Sequence, residues 1–356
     1  MAIFGFNNQS QAGYDSKRFW DGKFHNDTAF SLTNVNTLSR TLWRYITEPR
    51  IQASPALPVP LMNMTQEQLL ADKSQGNAIY RLGHSSLLMA LEGEFWLIDP
   101  VFSERASPVQ WAGPKRFHPT PINIDQLPPI RGVILSHDHF DHLDRNSIEQ
   151  LKDRVDYFVS PLGVGQHLRD WGVKVDRIHE LDWWQSIAFG TIKLTATPAQ
   201  HFSGRGMTDG NQTLWSSWVI STPNSNLFFS GDSGYFDGFK KIGEHLGPFD
   251  LTMMENGAYD RDWAKVHMTP EETMQAHLDL KGRALMPIHN GTFDLALHPW
   301  FEPFERLSAL AQAQQIPLVT PIMGQKVRLD EPNKTHAWWQ DQTAATIAEL
   351  GGPLQP

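Results

Sequence analysis

The stretch Gly132-Val133-Ile134-Leu135-Ser136-His137-Asp138-His139-Phe140-Asp141-His142-Leu143-Asp144 decides how this chain is read. An apolar run of strand character ends at Leu135, and a loop dense in metal-binding side chains follows. Three histidines and two carboxylates fall between residues 137 and 142. A packed interior tolerates that polarity only if it is solvated or if a cation takes up the lone pairs. The cation is the reading adopted. His137 and His139 stand two apart, so in extended backbone their rings point to one side and can pinch one ion. Asp141 and His142 fall where the chain turns, on the other side, and suit a second ion. Imidazole and carboxylate without thiolate fit Zn²⁺, with Fe or Mn open as well. The expectation is a centre of two divalent metal ions.

His137-x-His139-x-Asp141-His142 resembles the HxHxDH signature of the metallo-β-lactamase fold. That family also needs an isolated His, a bridging Asp and a final His, in that order and each at a strand end. The chain offers His201 after Thr195-Ala196-Thr197-Pro198-Ala199-Gln200, Asp232 after Leu227-Phe228-Phe229-Ser230-Gly231, and His289 after Ala284-Leu285-Met286-Pro287-Ile288. The resemblance implies that His137, His139 and His201 hold one ion, that Asp141, His142 and His289 hold the other, and that Asp232 bridges them. It also implies an αββα sandwich of the α/β class. Asp138 and Asp144 fall off the signature, and Asp144 is expected to cap a helix beginning Arg145-Asn146-Ser147.

Further stretches are similar to the branch containing N-acylphosphatidylethanolamine-hydrolysing phospholipase D and its RomA-like bacterial relatives. They are Leu82-Gly83-His84-Ser85-Ser86, Ile98-Asp99-Pro100-Val101-Phe102-Ser103, Gly113-Pro114-Lys115-Arg116-Phe117, Gly231-Asp232-Ser233-Gly234-Tyr235, His267-Met268-Thr269-Pro270-Glu271-Glu272 and His289-Asn290-Gly291-Thr292-Phe293. The resemblance spans about residues 77 to 300. It implies a phosphodiesterase in which a hydroxide held between two ions attacks phosphorus and Asp232 orients it. His84 and His267 are candidates for substrate contact or proton delivery, each with an ordinary hydrogen-bonding role as its alternative. Asp99 is expected to accept a hydrogen bond from a ligand imidazole. Lys115, Arg116 and Arg205 are candidates to attract a phosphate, with a solvated surface position as the alternative.

Other expectations concern organisation. Residues 1–76 read as an N-terminal extension packed on the main body, 77–330 as the catalytic domain, and 331–356 as a tail with a short helix around Trp338 to Leu350. Strands are expected at Ser86–Leu91, Phe95–Ile98, Tyr157–Ser160, Thr191–Thr197, Ser216–Ile220 and Leu227–Phe229, and helices at Asn146–Leu151 and Pro270–Leu280. With no cysteine, disulfides and thiolate ligands are excluded. No basic segment leads into an apolar one at the start, and no run nears the roughly 18 apolar residues of a membrane span, so a soluble cytoplasmic protein is expected.

A formal charge of −9 argues against a polyanion-binding surface, and a nuclease sharing this metal signature needs a basic track that is missing here. No nucleic-acid partner is expected. Aromatic pairs such as Trp43 with Tyr45, Trp183-Trp184, Trp300-Phe301 and Trp338-Trp339 are candidates for acyl-chain or peripheral membrane contact, with core packing as the alternative. Oligomeric state, a homodimer included, stays open. Three functions fit: a phospholipase D-type enzyme on N-acylphosphatidylethanolamine-like lipids, a hydrolase of a soluble ester, lactone or phosphodiester, and a non-enzymatic metal-binding or redox role. Flavodi-iron relatives place a carboxylate where His139 stands and add a flavin domain, which disfavours the last.

Overall fold

Leu87, Met89 and Leu91 face one hydrophobic cluster while Leu88 and Ala90, between them, face another. A strand buried on both faces must lie in the middle layers of the molecule. The computed structural model describes residues 13–28, 40, 43–44, 47–330 and 335–342 of the chain. A short hairpin of β1 (Phe19–Trp20) and β2 (Lys23–Phe24) precedes helix α1 (Gln66–Asp72). The strands β3 (Ala78–Gly83), β4 (Ser86–Leu91), β5 (Glu94–Ile98), β6 (Ile130–Ile134), β7 (Val155–Pro161) and β8 (Ile178–Leu181) form one sheet with a late strand, β15 (Lys326–Arg328). Its order is β15-β3-β4-β5-β6-β7-β8. The second sheet contains β9 (Ser186–Phe189), β10 (Ile192–Thr197), β11 (Ser217–Ser221), β12 (Asn226–Phe229), β13 (Phe249–Glu255) and β14 (Gly282–Ile288), in the order β14-β13-β12-β11-β10-β9.

Between the sheets lie Leu87, Met89, Trp96, Ile98 and Ile134 from the first and Leu194, Trp218, Leu227, Phe229, Met253 and Met286 from the second. Outside the first sheet, Ile148 and Leu151 of α2 (Arg145–Leu151) and Val164 and Leu168 of α3 (Val164–Asp170) cover Leu88, Leu97 and Val133, and Leu69 of α1 joins them. Outside the second, α4 (Gly238–His245), α5 (Pro270–Asp279) and α6 (Glu302–Gln314) place Phe239, Ile242, Met274 and Leu307 on Val219, Phe228 and Phe249. This is the expected αββα sandwich. Asp144 caps α2 by accepting the Asn146 N–H, and Thr269 with Glu272 forms the capping box of α5.

Of the expected elements, β4 has the bounds anticipated, and the other strands differ by one or two residues at their ends. Trp338 to Gln342 is helical, and the rest of the anticipated terminal helix lies outside the described residues, as does Tyr45. The aromatic pairs divide between core packing and exposure. Trp183 packs with Phe24 and Trp215, and Trp300, Trp338 and Trp339 pack with Phe304, so these rings are core. Trp43 and Trp184 do stay exposed. No helix among the described residues is long and apolar enough to cross a membrane.

Gly132 pairs with Trp96 across β5 and β6, and a Cβ there would sit 2.2 Å from Trp96 Cζ3. Trp96 is wholly buried and has no room to withdraw. Gly132→Ala should therefore lower stability by about 1–3 kcal/mol. An unchanged urea midpoint would contradict this packing.

Candidate metal centre

The loops after β6, β10, β12 and β14 converge at one edge of the sandwich, together with the turn between β3 and β4. They carry His137 to His142, His201, Asp232, His289 and His84. Donor atoms of His137, His139, His201 and Asp232 lie within 4.8 Å of one another, and so do those of His84, Asp141, His142 and His289. In the first group His137 Nε2 and His201 Nε2 stand 2.9 and 3.2 Å from His139 Nδ1, and 3.9 and 3.8 Å from Asp232 Oδ2. In the second, His142 Nε2 lies 3.5 Å from Asp141 Oδ2, and His289 Nε2 lies 3.2 Å from the same oxygen. Asp232 reaches this group too, with Oδ1 3.1 Å from His142 Nε2 and Oδ2 3.0 Å from His289 Nε2. The structure thus brings together all seven residues expected to bind metal.

These separations fit metal ions. Ligands about 2.1 Å from a tetrahedral ion stand about 3.0–3.5 Å apart, close to what both groups show. Hydrogen bonding accounts for only part of these contacts, because the single Nδ1 of His139 cannot serve both His137 and His201 at once. His142 Nε2 and Asp232 Oδ1 are buried and approach each other without completing a hydrogen bond. Electrostatics agrees. Burial disfavours a charged His289, yet Asp232 and Asp141 more than offset it and push its pKa up to about 10. His142 is raised in the same way, against burial, by Asp232 and Asp141. Burial holds His137, His139 and His201 low, in the neutral form that donates a lone pair. The pocket favours positive charge beside its carboxylates and neutral imidazoles around it.

The rings are held from behind. His142 Nδ1 is 2.7 Å from Asp99 Oδ2, and Asp99 also accepts the Ser136 N–H at 2.7 Å and the Ser136 hydroxyl at 2.5 Å. Asp99 therefore does what the sequence anticipated for it. His201 Nδ1 lies 3.1 Å from the Val266 carbonyl, turning Nε2 inward. His84, Asp99 and His289 all have positive φ, at 53°, 42° and 62°. Non-glycine residues enter that region at a cost, and several at one site mark a backbone held by its surroundings. For His84 the holder is Thr292, whose Oγ1 accepts its N–H at 2.6 Å.

His84 is buried with Nε2 3.0 Å from Asp141 Oδ2, so its ring backs a donor carboxylate. His267 Nδ1 donates to Glu255 Oε1, 2.7 Å away, and its ring lies 5.2 Å from those of His201 and His289. Sequence reasoning missed Glu255, although a carboxylate closing the apolar run Leu251 to Met254 has the same placement as Asp232. It also missed Asn26, whose side chain donates to His201 O at 2.8 Å and accepts the His201 N–H at 3.2 Å. Nothing local announces a contact 175 residues away. The phosphate-attracting cations need correction. Lys115 pairs with Glu104 on the surface, Arg116 is buried and donates to Val101 O, and Arg205 donates to loop carbonyls.

The sequence pattern described as the beta-lactamase superfamily domain matches residues 96–290, and the chain belongs to that superfamily, in the branch that includes the N-acylphosphatidylethanolamine-hydrolysing phospholipases D. An N-acyl-phosphatidylethanolamine-hydrolyzing phospholipase D of Caenorhabditis elegans is 36% identical over 271 residues, 72% of this chain and 75% of the worm protein. An uncharacterized protein of Mycobacterium tuberculosis is 41% identical over 333 residues, 91% of this chain and 88% of that one. The solved isothiocyanate hydrolase from Delia radicum gut bacteria shares the fold at 18% identity, with a TM-score of 0.56 over 70% of this chain and 98% of its own. The chain is a metal-dependent hydrolase of this superfamily, whose fold implies divalent metal ions.

Asp99 is wholly buried and ends three donors from two residues. Asp99→Ala leaves those donors unpaired and should cost about 3–5 kcal/mol. Urea unfolding in excess chelator isolates this from metal loss; a cost under about 1 kcal/mol would contradict the role given to Asp99.

Proposed function

We propose that the chain is a phospholipase D-type phosphodiesterase acting on N-acylphosphatidylethanolamine-like lipids. The observation that carries this reading is one buried carboxylate, Asp232, shared by two donor groups, in a chain 36% identical to the worm phospholipase D over most of both. His137, His139 and His201 would hold one ion and Asp141, His142 and His289 the other, with Asp232 lying beside the donors of both groups. When bound, such a pair supplies Lewis acidity that makes water nucleophilic near neutral pH and neutralises charge on a phosphoryl oxygen. Zn²⁺ suits the donor set.

The chain's own groups do the rest. A water oxygen forms a bond to phosphorus, the bond from phosphorus to the ethanolamine oxygen breaks, and the leaving alkoxide takes up the proton that the water gives up. Products are phosphatidic acid and an N-acylethanolamine. Asp232 accepts from the attacking water and fixes its direction. His84 Nε2 orients Asp141, and Glu255 orients His267, whose ring stands beside the donor groups where a phosphoryl oxygen or the leaving oxygen would lie. Asp141 and His139 are the partly exposed donors, so substrate enters from their side.

Mass spectrometry of products after incubating the Zn²⁺-loaded protein with N-acylphosphatidylethanolamine in mixed micelles tests this reading. Phosphatidic acid and N-acylethanolamine should form with the unmodified chain, and Asp232→Asn or His139→Ala should lose bound metal and at least about 100-fold in rate. A chain that binds two ions yet releases neither product would overturn the lipid assignment, and full activity in either variant would overturn the two-metal mechanism.

A further inference from the structure

Two side chains left out of the donor groups tie together the loops that carry them. Asp138 sits inside the 137–142 run, and its Oδ1 accepts the Gly204 N–H at 2.8 Å while Oδ2 accepts the Thr213 hydroxyl at 2.9 Å. His167 Nε2 lies 3.4 Å from the same Oδ2. In the opposite direction Arg205 Nη1 donates to the carbonyl of Asp138 at 2.5 Å and to that of Leu143 at 2.7 Å. Its guanidinium lies 4.1 Å from the Phe140 ring centre and 5.2 Å from that of Trp171. Each loop therefore grips the other: a carboxylate reaches out from the β6 loop, and a guanidinium reaches back from the loop after His201.

The two carbonyls held by Arg205 bracket His139, Asp141 and His142. Those three donors stand five, seven and eight residues beyond the end of β6 on one irregular loop, two of them partly exposed, whereas His289 follows directly on β14 and Asp232 and His201 stand three and four residues beyond β12 and β10. A loop of this kind keeps a donor geometry only if its ends are fixed, and a single Nη1 with two N–H groups fixes both ends at once. We propose that Arg205 is a positioning residue, latched to Asp138, that holds the 137–143 loop in its metal-binding shape and joins it to the loop of His201. This rests on reading the two donor groups as metal sites, and it gives Arg205 a task distinct from attracting phosphate.

The test is Zn²⁺ affinity of the full chain, measured by competition with a chromophoric chelator, alongside thermal unfolding in excess EDTA. Arg205→Met keeps apolar bulk over Phe140 and Trp171 but has no donor; it should weaken binding about 10–100-fold while unfolding in EDTA stays near the unmodified value. Arg205→Lys, with three N–H donors, should recover most of the affinity. Should the methionine variant not fold, Thr213→Val reads the same latch from the Asp138 side and should weaken binding several-fold. Unmodified affinity in Arg205→Met, equal losses in the Met and Lys variants, or a loss matched by an equal fall in stability in EDTA would each overturn the proposal. An unmodified chain that binds no Zn²⁺ overturns the metal reading itself and the proposal with it, an outcome seen before any variant is compared.

Discussion

A carboxylate with almost no solvent contact, Asp232, sets the terms for the rest of the molecule. Its side chain is 2% exposed, and His142, His289, His201 and His137 surround it at 3.0 to 3.9 Å. An ionised carboxylate taken out of water must be matched by positive charge and by donors, or it does not stay ionised. The four rings come from loops on both sheets, so the match exists only where the sheets stack in one register. Gly231 shows how tight the fit is. At φ 56° it lets the Asp232 loop pass Ser136, where a Cβ would come within 2.8 Å of Ser136 Cβ.

The sandwich supplies the rigidity that this arrangement needs. Both sheets are apolar on both faces, so helices must cover the outside while the inner faces close on each other. That burial fixes the strand ends, and the strand ends fix the donors. It also sustains three non-glycine residues in the left-handed region at the site, each of which relaxes if its neighbours let go. Around the loop donors, where no strand continues, hydrogen bonds accepted by Asp99, exchanged with Asn26 and donated by Arg205 take over the same task.

Legibility in the sequence followed locality. His137 to His142 could be read because six adjacent residues carry the pattern, and His201, Asp232 and His289 because each closes an apolar run. Asp99 could be read for the same reason, with Pro100 marking the turn. Residues that act by reaching across the fold could not. Asn26 on His201, Thr292 under His84 and Thr213 on Asp138 are ordinary polar residues until the chain has folded. Arg116 and Arg205 were misjudged for a physical reason: arginine is normally a surface residue, and only tertiary packing shows these two directed at carbonyls beneath aromatic rings. Trp300, Trp338 and Trp339 likewise form a core among themselves, a pairing invisible until distant segments meet.

The central claim is that two cations share Asp232, and anomalous X-ray scattering from crystals of the Zn²⁺-loaded protein measures it most directly. The account predicts two peaks about 3.5–4 Å apart, one within bonding distance of His137, His139 and His201, the other of Asp141, His142 and His289, with Asp232 reaching both. A single peak, or two peaks that do not have Asp232 between them, would contradict it.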